Sequence, residues 1–288
     1  MSIAAKTAVI VLCATTHFCA AELPDIRSVA ADLEVPALSE GPPAAGKRVR
    51  QGMHVLYLPL DWKRDAKMPV IVELAGNGWK GPYGDVSSGL PEGSNLGYGL
   101  SGGRGFIWLC APFLNGQGDK VATNWWGDAP THDPQPTLKY LRETVKSVCR
   151  DFGGDETKVV LCGFSRGAIA CNFMGLHDEE TAKLWCGFLA YSHYDGVKDW
   201  KLPGANREMA LTRLQWLGHR PQFICGEGTQ AEVTEKYLRP LLPAADLTFT
   251  GTGFRNHNDA WTLRPSLARE QARAWLARIT GRRLERFN

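Results

Sequence analysis

Long apolar runs, metal-ligand spacings and one-signed charge are all scarce in this 288-residue chain. The apolar stretch at residues 7–15 (TAVIVLCAT) is far shorter than the roughly 20 residues a membrane-spanning helix needs, so no membrane anchor is expected. There is no Cys-x-x-Cys pair and no Cys/His cluster, which argues against a zinc site or any other bound metal. Lysine and arginine number 33 against 30 aspartates and glutamates. The basic tail GRRLERF at 281–287 reads as a solvated helix end, so no nucleic-acid partner is expected. Neither the GNG loop at 76–78 nor the GGRG loop at 102–105 has the strand, glycine spacing and lysine of a nucleotide loop. No internal repeat or low-complexity tract interrupts the chain. With 44% hydrophobic and 22% charged residues, a single globular domain is expected.

The amino end does carry a pattern. Lys6, the apolar run at 7–15 and the small residues Cys19, Ala20 and Ala21 together read as a secretory signal peptide at 1–21, so the protein is expected to be exported to the periplasm or secreted. Residues 22–45 are rich in Ala, Pro and Glu and read as a surface leader before a catalytic domain at 46–288. Six cysteines follow the signal. Cys110, Cys162 and Cys225 sit in strand-like apolar runs and are expected as buried thiols; for Cys149, Cys171 and Cys186 a bridge is open.

From residue 54 onward the pattern becomes regular. Apolar strand-like runs occur at 54–60, 69–76, 106–113, 158–164, 187–193, 222–228 and 246–254. Amphipathic helical patterns lie at 136–152, 168–177, 207–217, 231–242 and 266–281. Continuous apolar strands alternating with helices predict an α/β fold, a mostly parallel central sheet with helices on both faces.

Residues 159–176 (VVLCGFSRGAIACNFMGL) set one serine, Ser165, between Gly163 and Gly167, where an apolar strand turns straight into a helix. Small neighbours permit a strained turn that pushes the hydroxyl out at the sheet's carboxyl edge. This Gly-x-Ser-x-Gly resembles the nucleophile elbow of the α/β-hydrolases, and the resemblance extends over roughly residues 46–280. It implies an α/β-hydrolase fold; the short span 193–221 leaves no room for a large cap domain.

In that fold the order is nucleophile, acid, base, which makes Ser165 the nucleophile and His257, after the last strand, the base. Glu227, the first carboxylate after the strand at 222–228, ranks first as the acid, and Asp195 is the alternative. The resemblance implies oxyanion donors at the backbone N–H of Arg166 and at Asn77 or Gly78. The elbow GFSRG is also similar to the GCSRxG elbow of glucuronoyl esterases, which would let the Arg166 guanidinium hold a substrate carboxylate. Trp125, Trp126 and Tyr194, in loops expected at the same edge, are candidate substrate-binding aromatics suited to sugar rings.

The expectation is therefore an exported serine esterase needing no metal or organic cofactor. Its substrate would be a small-molecule or polysaccharide ester carrying acetyl, feruloyl or glucuronoyl groups. A polyester depolymerase and a serine exopeptidase on the same fold are alternatives, and a noncatalytic hydrolase-like binding protein is another.

Overall fold

A computed structural model of the chain describes residues 22–284. The expected signal segment 1–21 and the last residues of the basic tail, 285–288, lie outside the described residues.

In chain order the strands are β1 (Arg48–Gln51), β2 (His54–Tyr57), β3 (Met68–Leu74), β4 (Gly78–Lys80), β5 (Val86–Ser88), β6 (Ile107–Ala111), β7 (Gly154–Phe164), β8 (Gly187–Tyr191), β9 (Gln222–Gly226) and β10 (Leu247–Gly251). The helices are α1 (Leu96–Ser101), α2 (Gln135–Phe152), α3 (Arg166–Phe173), α4 (Glu179–Ala182), α5 (Arg207–Leu214), α6 (Gln230–Leu238) and α7 (Leu267–Thr280). Eight strands form one sheet in the order β1-β2-β6-β3-β7-β8-β9-β10, and β4 and β5 form a separate hairpin. The pairings of β1 with β2 and of β2 with β6 are antiparallel, and the rest of the large sheet is parallel.

Strands β3, β6, β8 and β9 are buried along their whole length, because helices cover both faces of the sheet. Alternate residues of β3 serve opposite layers. Val70, Val72 and Leu74 join Leu138, Leu141 and Val145 of α2 and Leu238 of α6, whereas Ile71 joins Leu96 of α1 and Ala272 and Trp275 of α7. Between β8 and β9, residues 192–221 hold one short helix, α5. No helix among the described residues is long and apolar enough to cross a membrane.

All seven strand-like runs became strands. Five elements had no clear signal: β1 has the polar sequence RVRQ, β4 and β5 are three residues each, α4 is a single turn of four residues, and α1 (LGYGLS) carries two glycines, poor helix formers. Residues 22–45 are mostly exposed, but Ile26 is buried in the core layer of α1 and α7. The Ile26 N–H donates to Asn256 Oδ1 at 2.7 Å, and Asp32 pairs with Arg269 at 2.5 Å. The six cysteines are all free thiols, so the bridge left open for Cys149, Cys171 and Cys186 does not form.

The register decides where function can sit. Leu74 faces Gly163, Phe164 faces Tyr191, Tyr191 faces Cys225 and Gly226 faces Gly251, so the carboxyl ends of β3, β7, β8, β9 and β10 finish level. The residues that follow each strand emerge along one edge.

Candidate active site

Ser165 holds φ 55° and ψ −113°, a conformation rare for any residue with a side chain. Crowding explains both glycines. A Cβ on Gly163 would lie 2.2 Å from the Gly167 carbonyl, and one on Gly167 would lie 1.9 Å from the Leu74 carbonyl oxygen. The turn therefore closes only with glycine on both sides. It ends in α3, whose first N–H groups have no partner within the helix.

Ser165 opens into a cavity of about 310 Å³ together with Asn77, Trp79, Trp125, His193, Trp200 and His257. The His257 Nδ1 lies 2.7 Å from Glu227 Oε1. A carboxylate there fixes the N–H on Nδ1 and leaves the Nε2 lone pair free, the tautomer a general base needs. Burial alone would raise the Glu227 carboxyl, but the His257 hydrogen bond and charge, with the Ser192 hydroxyl, hold it below its ordinary value. The His257 ring is packed edge-on by Trp79 at 5.2 Å between centroids and flanked by Phe164 at 4.7 Å.

Ser192, which had no sequence signal, completes this group. Its hydroxyl donates to Glu227 Oε1 at 2.9 Å and lies 2.9 Å from His257 Nδ1. Its N–H donates to the Cys225 carbonyl, which holds the end of β8 against β9.

Several expected site residues stand elsewhere. Asp195, the alternative acid, is buried in an ion pair with Arg213, 2.8 and 3.0 Å from the guanidinium nitrogens, and is not among the partners of His257. The Gly78 N–H, an expected oxyanion donor, is already engaged, donating to the Thr123 carbonyl at 2.8 Å. Trp126 does not bind substrate: it is wholly buried, stacked on Phe113. Tyr194 is buried too, its hydroxyl bonded to Asn172 and Gln222. The tryptophans that line the cavity are Trp79, Trp125 and Trp200.

The Arg166 guanidinium does not reach for a substrate carboxylate either. It donates to the carbonyls of Gly76 (2.9 Å), Gly89 (3.1 Å), Ala122 (3.1 Å) and Trp125, and its plane covers Phe113. Burial lowers its pKa, with carbonyl dipoles rather than a carboxylate compensating the charge. The residue beside the nucleophile thus braces the Gly76–Asn77 turn and the Trp125 loop against the elbow.

No protein-family profile and no curated protein matches the chain. Solved structures do. An S-formylglutathione hydrolase from Agrobacterium tumefaciens superposes with a TM-score of 0.52 at 14% identity, covering 79% of this chain and 90% of that one. Esterase 2 of Thermogutta terrifontis, phosphorylated by paraoxon, gives 0.50 at 16% identity, covering 78% and 88%. A thermostable esterase gives 0.48 at 15% identity; the match covers 78% of this chain and spans 58% of that one. With its level strand ends, its parallel sheet between two helical layers and its serine on a strand-to-helix turn, the chain has the α/β-hydrolase fold.

Proposed function

We propose that the protein is a serine hydrolase that cleaves carboxylic esters through an acyl-enzyme. The observation that carries this reading is the pairing of His257 with Glu227 on the cavity into which Ser165 opens. In the first half, His257 Nε2 takes the proton from Ser165 Oγ as the oxygen attacks the ester carbonyl carbon. The carbonyl π electrons move onto oxygen, where the N–H groups of Arg166 and Asn77 stabilise the charge. Collapse of the tetrahedral species breaks the bond to the alcohol oxygen, which takes the proton from His257. Water then repeats the sequence on the acyl-serine: His257 removes its proton, the carboxylic acid leaves, and Ser165 recovers its hydrogen.

The substrate is an uncharged, ring-bearing ester, of the kind found on acylated carbohydrates. Support comes from Trp79, Trp125 and Trp200 around the cavity and from the engagement of Arg166 with four carbonyls, which keeps its guanidinium from a substrate carboxylate. The segment 1–21 acts as an export signal in this reading, so the enzyme works in the periplasm or outside the cell. The two structural relatives named above with TM-scores of 0.50 and higher are an S-formylglutathione hydrolase and an esterase, in keeping with this chemistry.

The test is turnover of p-nitrophenyl acetate and of acetylated, feruloylated and glucuronoyl sugars by the purified protein. The expected result is an initial burst of p-nitrophenol and hydrolysis of at least one sugar ester, both lost in Ser165→Ala. Equal turnover by Ser165→Ala would overturn it.

A further inference from the structure

A second imidazole stands in the cavity without a part in the proton transfers. His193, two residues past β8, lines it beside His257, with 5.3 Å between ring centroids, and leans on Trp200 at 5.0 Å. Ser192, the residue before it, has φ 84°, and this turn aims its own hydroxyl at Glu227 and the next side chain into the cavity. Among the described residues, no side chain bonds either ring nitrogen of His193 and no carboxylate orients it as Glu227 orients His257.

Burial pushes His193 down to about 4, helped by the charge of His257 and Lys198 and opposed by Glu227 and by a hydrogen bond with the Ser192 backbone. The ring is therefore uncharged at neutral pH. One nitrogen of a neutral imidazole donates and the other accepts. A neutral imidazole on the cavity wall therefore carries one acceptor nitrogen, and no side chain among the described residues claims it.

Among the other polar side chains of the lining, Ser87 adds a hydroxyl that can donate or accept. Asn77 Oδ1 already accepts the Trp125 N–H at 2.9 Å, and the guanidinium of Arg166 can only donate. Around His193 the walls are indoles: Trp200 touches it, and Trp125 lies 5.5 Å from Trp200. An acceptor set between aromatic faces matches a ring that presents apolar C–H faces and hydroxyl edges. Resting on the ester-hydrolase reading, we propose that His193 is a specificity-determining residue that accepts a hydrogen bond from a hydroxyl group on the substrate next to the scissile ester.

The test compares trans-2-hydroxycyclohexyl acetate with cyclohexyl acetate, esters that differ by one hydroxyl. A single hydrogen bond of this kind corresponds to roughly a tenfold preference. The wild type is expected to favour the hydroxylated ester by about that factor in kcat/KM, His193→Phe to bring the ratio close to one, and His193→Gln, which keeps an acceptor, to restore part of it. Because the readout is a ratio, a general loss of activity does not mimic it. An unchanged ratio in His193→Phe, or no preference in the wild type, would overturn the assignment of His193 while leaving the hydrolase reading intact. Absence of any ester turnover would overturn both, and covalent labelling of Ser165 separates the two failures.

Discussion

Glu227→Gln and Asp195→Asn each remove one carboxylate charge, and the structure predicts opposite consequences. Glu227 accepts from His257 Nδ1 at 2.7 Å and faces the imidazolium that forms as Ser165 is deprotonated. Two unit charges about 4 Å apart at an effective dielectric of 20 attract by about 4 kcal/mol. At about 1.4 kcal/mol per tenfold in rate, Glu227→Gln should lower kcat by roughly three powers of ten. Folding should change little, because the amide keeps the shape. Asp195 instead neutralises Arg213 in a site that water does not reach. Removing its charge strands a guanidinium and should cost about 3–5 kcal/mol of stability. For a domain of this size that lowers Tm by roughly 10 °C. The kcat of the folded fraction should stay as it is, since Asp195 makes no contact with His257. Steady-state kinetics with p-nitrophenyl acetate and thermal melts followed by circular dichroism read both quantities. The reasoning is refuted if Asp195→Asn loses the turnover and Glu227→Gln keeps it.

Three further outcomes follow from the same contacts. Arg166→Lys keeps the charge but cannot reach four carbonyls at once; with about 1–3 kcal/mol for each buried acceptor left unpaired, it should lose about 3 kcal/mol and at least tenfold in kcat, measured by urea unfolding and initial rates. Glu73, wholly buried on β3, accepts from the N–H groups of Asn95, Leu96 and Gly97 and from the Trp108 indole. Burial and the neighbouring Asp259 raise its pKa, so the folded state binds more protons than the unfolded one above the ordinary carboxylate range. That contribution to stability is therefore lost as pH rises toward neutrality. Glu73→Gln, less stable throughout because its amide nitrogen meets N–H donors, should show a flatter pH dependence of the urea midpoint. Last, a chain beginning at Glu22 should show six thiols to an aromatic disulfide reagent in guanidinium and no fast-reacting thiol when folded. Five are buried, and burial pushes the half-buried Cys186 up to about 11.

Much of this architecture was legible because burial on both faces writes itself as unbroken apolar runs: β3, β6, β8 and β9 could be read directly. Edge and hairpin elements escaped because they bury little; β1 is polar at three of its four positions, and the β4–β5 hairpin leaves Trp79 and Val86 partly in solvent. Ser165, His257 and Glu227 could be named because chain order and strand ends constrain them. What sequence could not give was the direction of side chains within loops. Trp125 and Trp126 are neighbours, yet a left-handed backbone at Trp125, φ 55°, sends one indole to the cavity and the other into the core beside Phe113. Ser192 and His193 escaped for the same reason, since their roles depend on the turn after β8. Arg166 sits where the elbow motif indicated, but the acceptors that hold it come from residues 76, 89, 122 and 125, distant in sequence and close only in the fold.

The central claim is that Ser165 is a nucleophile activated by His257, and labelling with a fluorophosphonate serine probe tests it most directly. The wild type should be labelled stoichiometrically at Ser165, as located by peptide mass spectrometry, and Ser165→Ala should take up no probe, with His257→Ala slowed by orders of magnitude. A well-folded wild type that stays unlabelled, or labelling that persists in Ser165→Ala, would contradict the account.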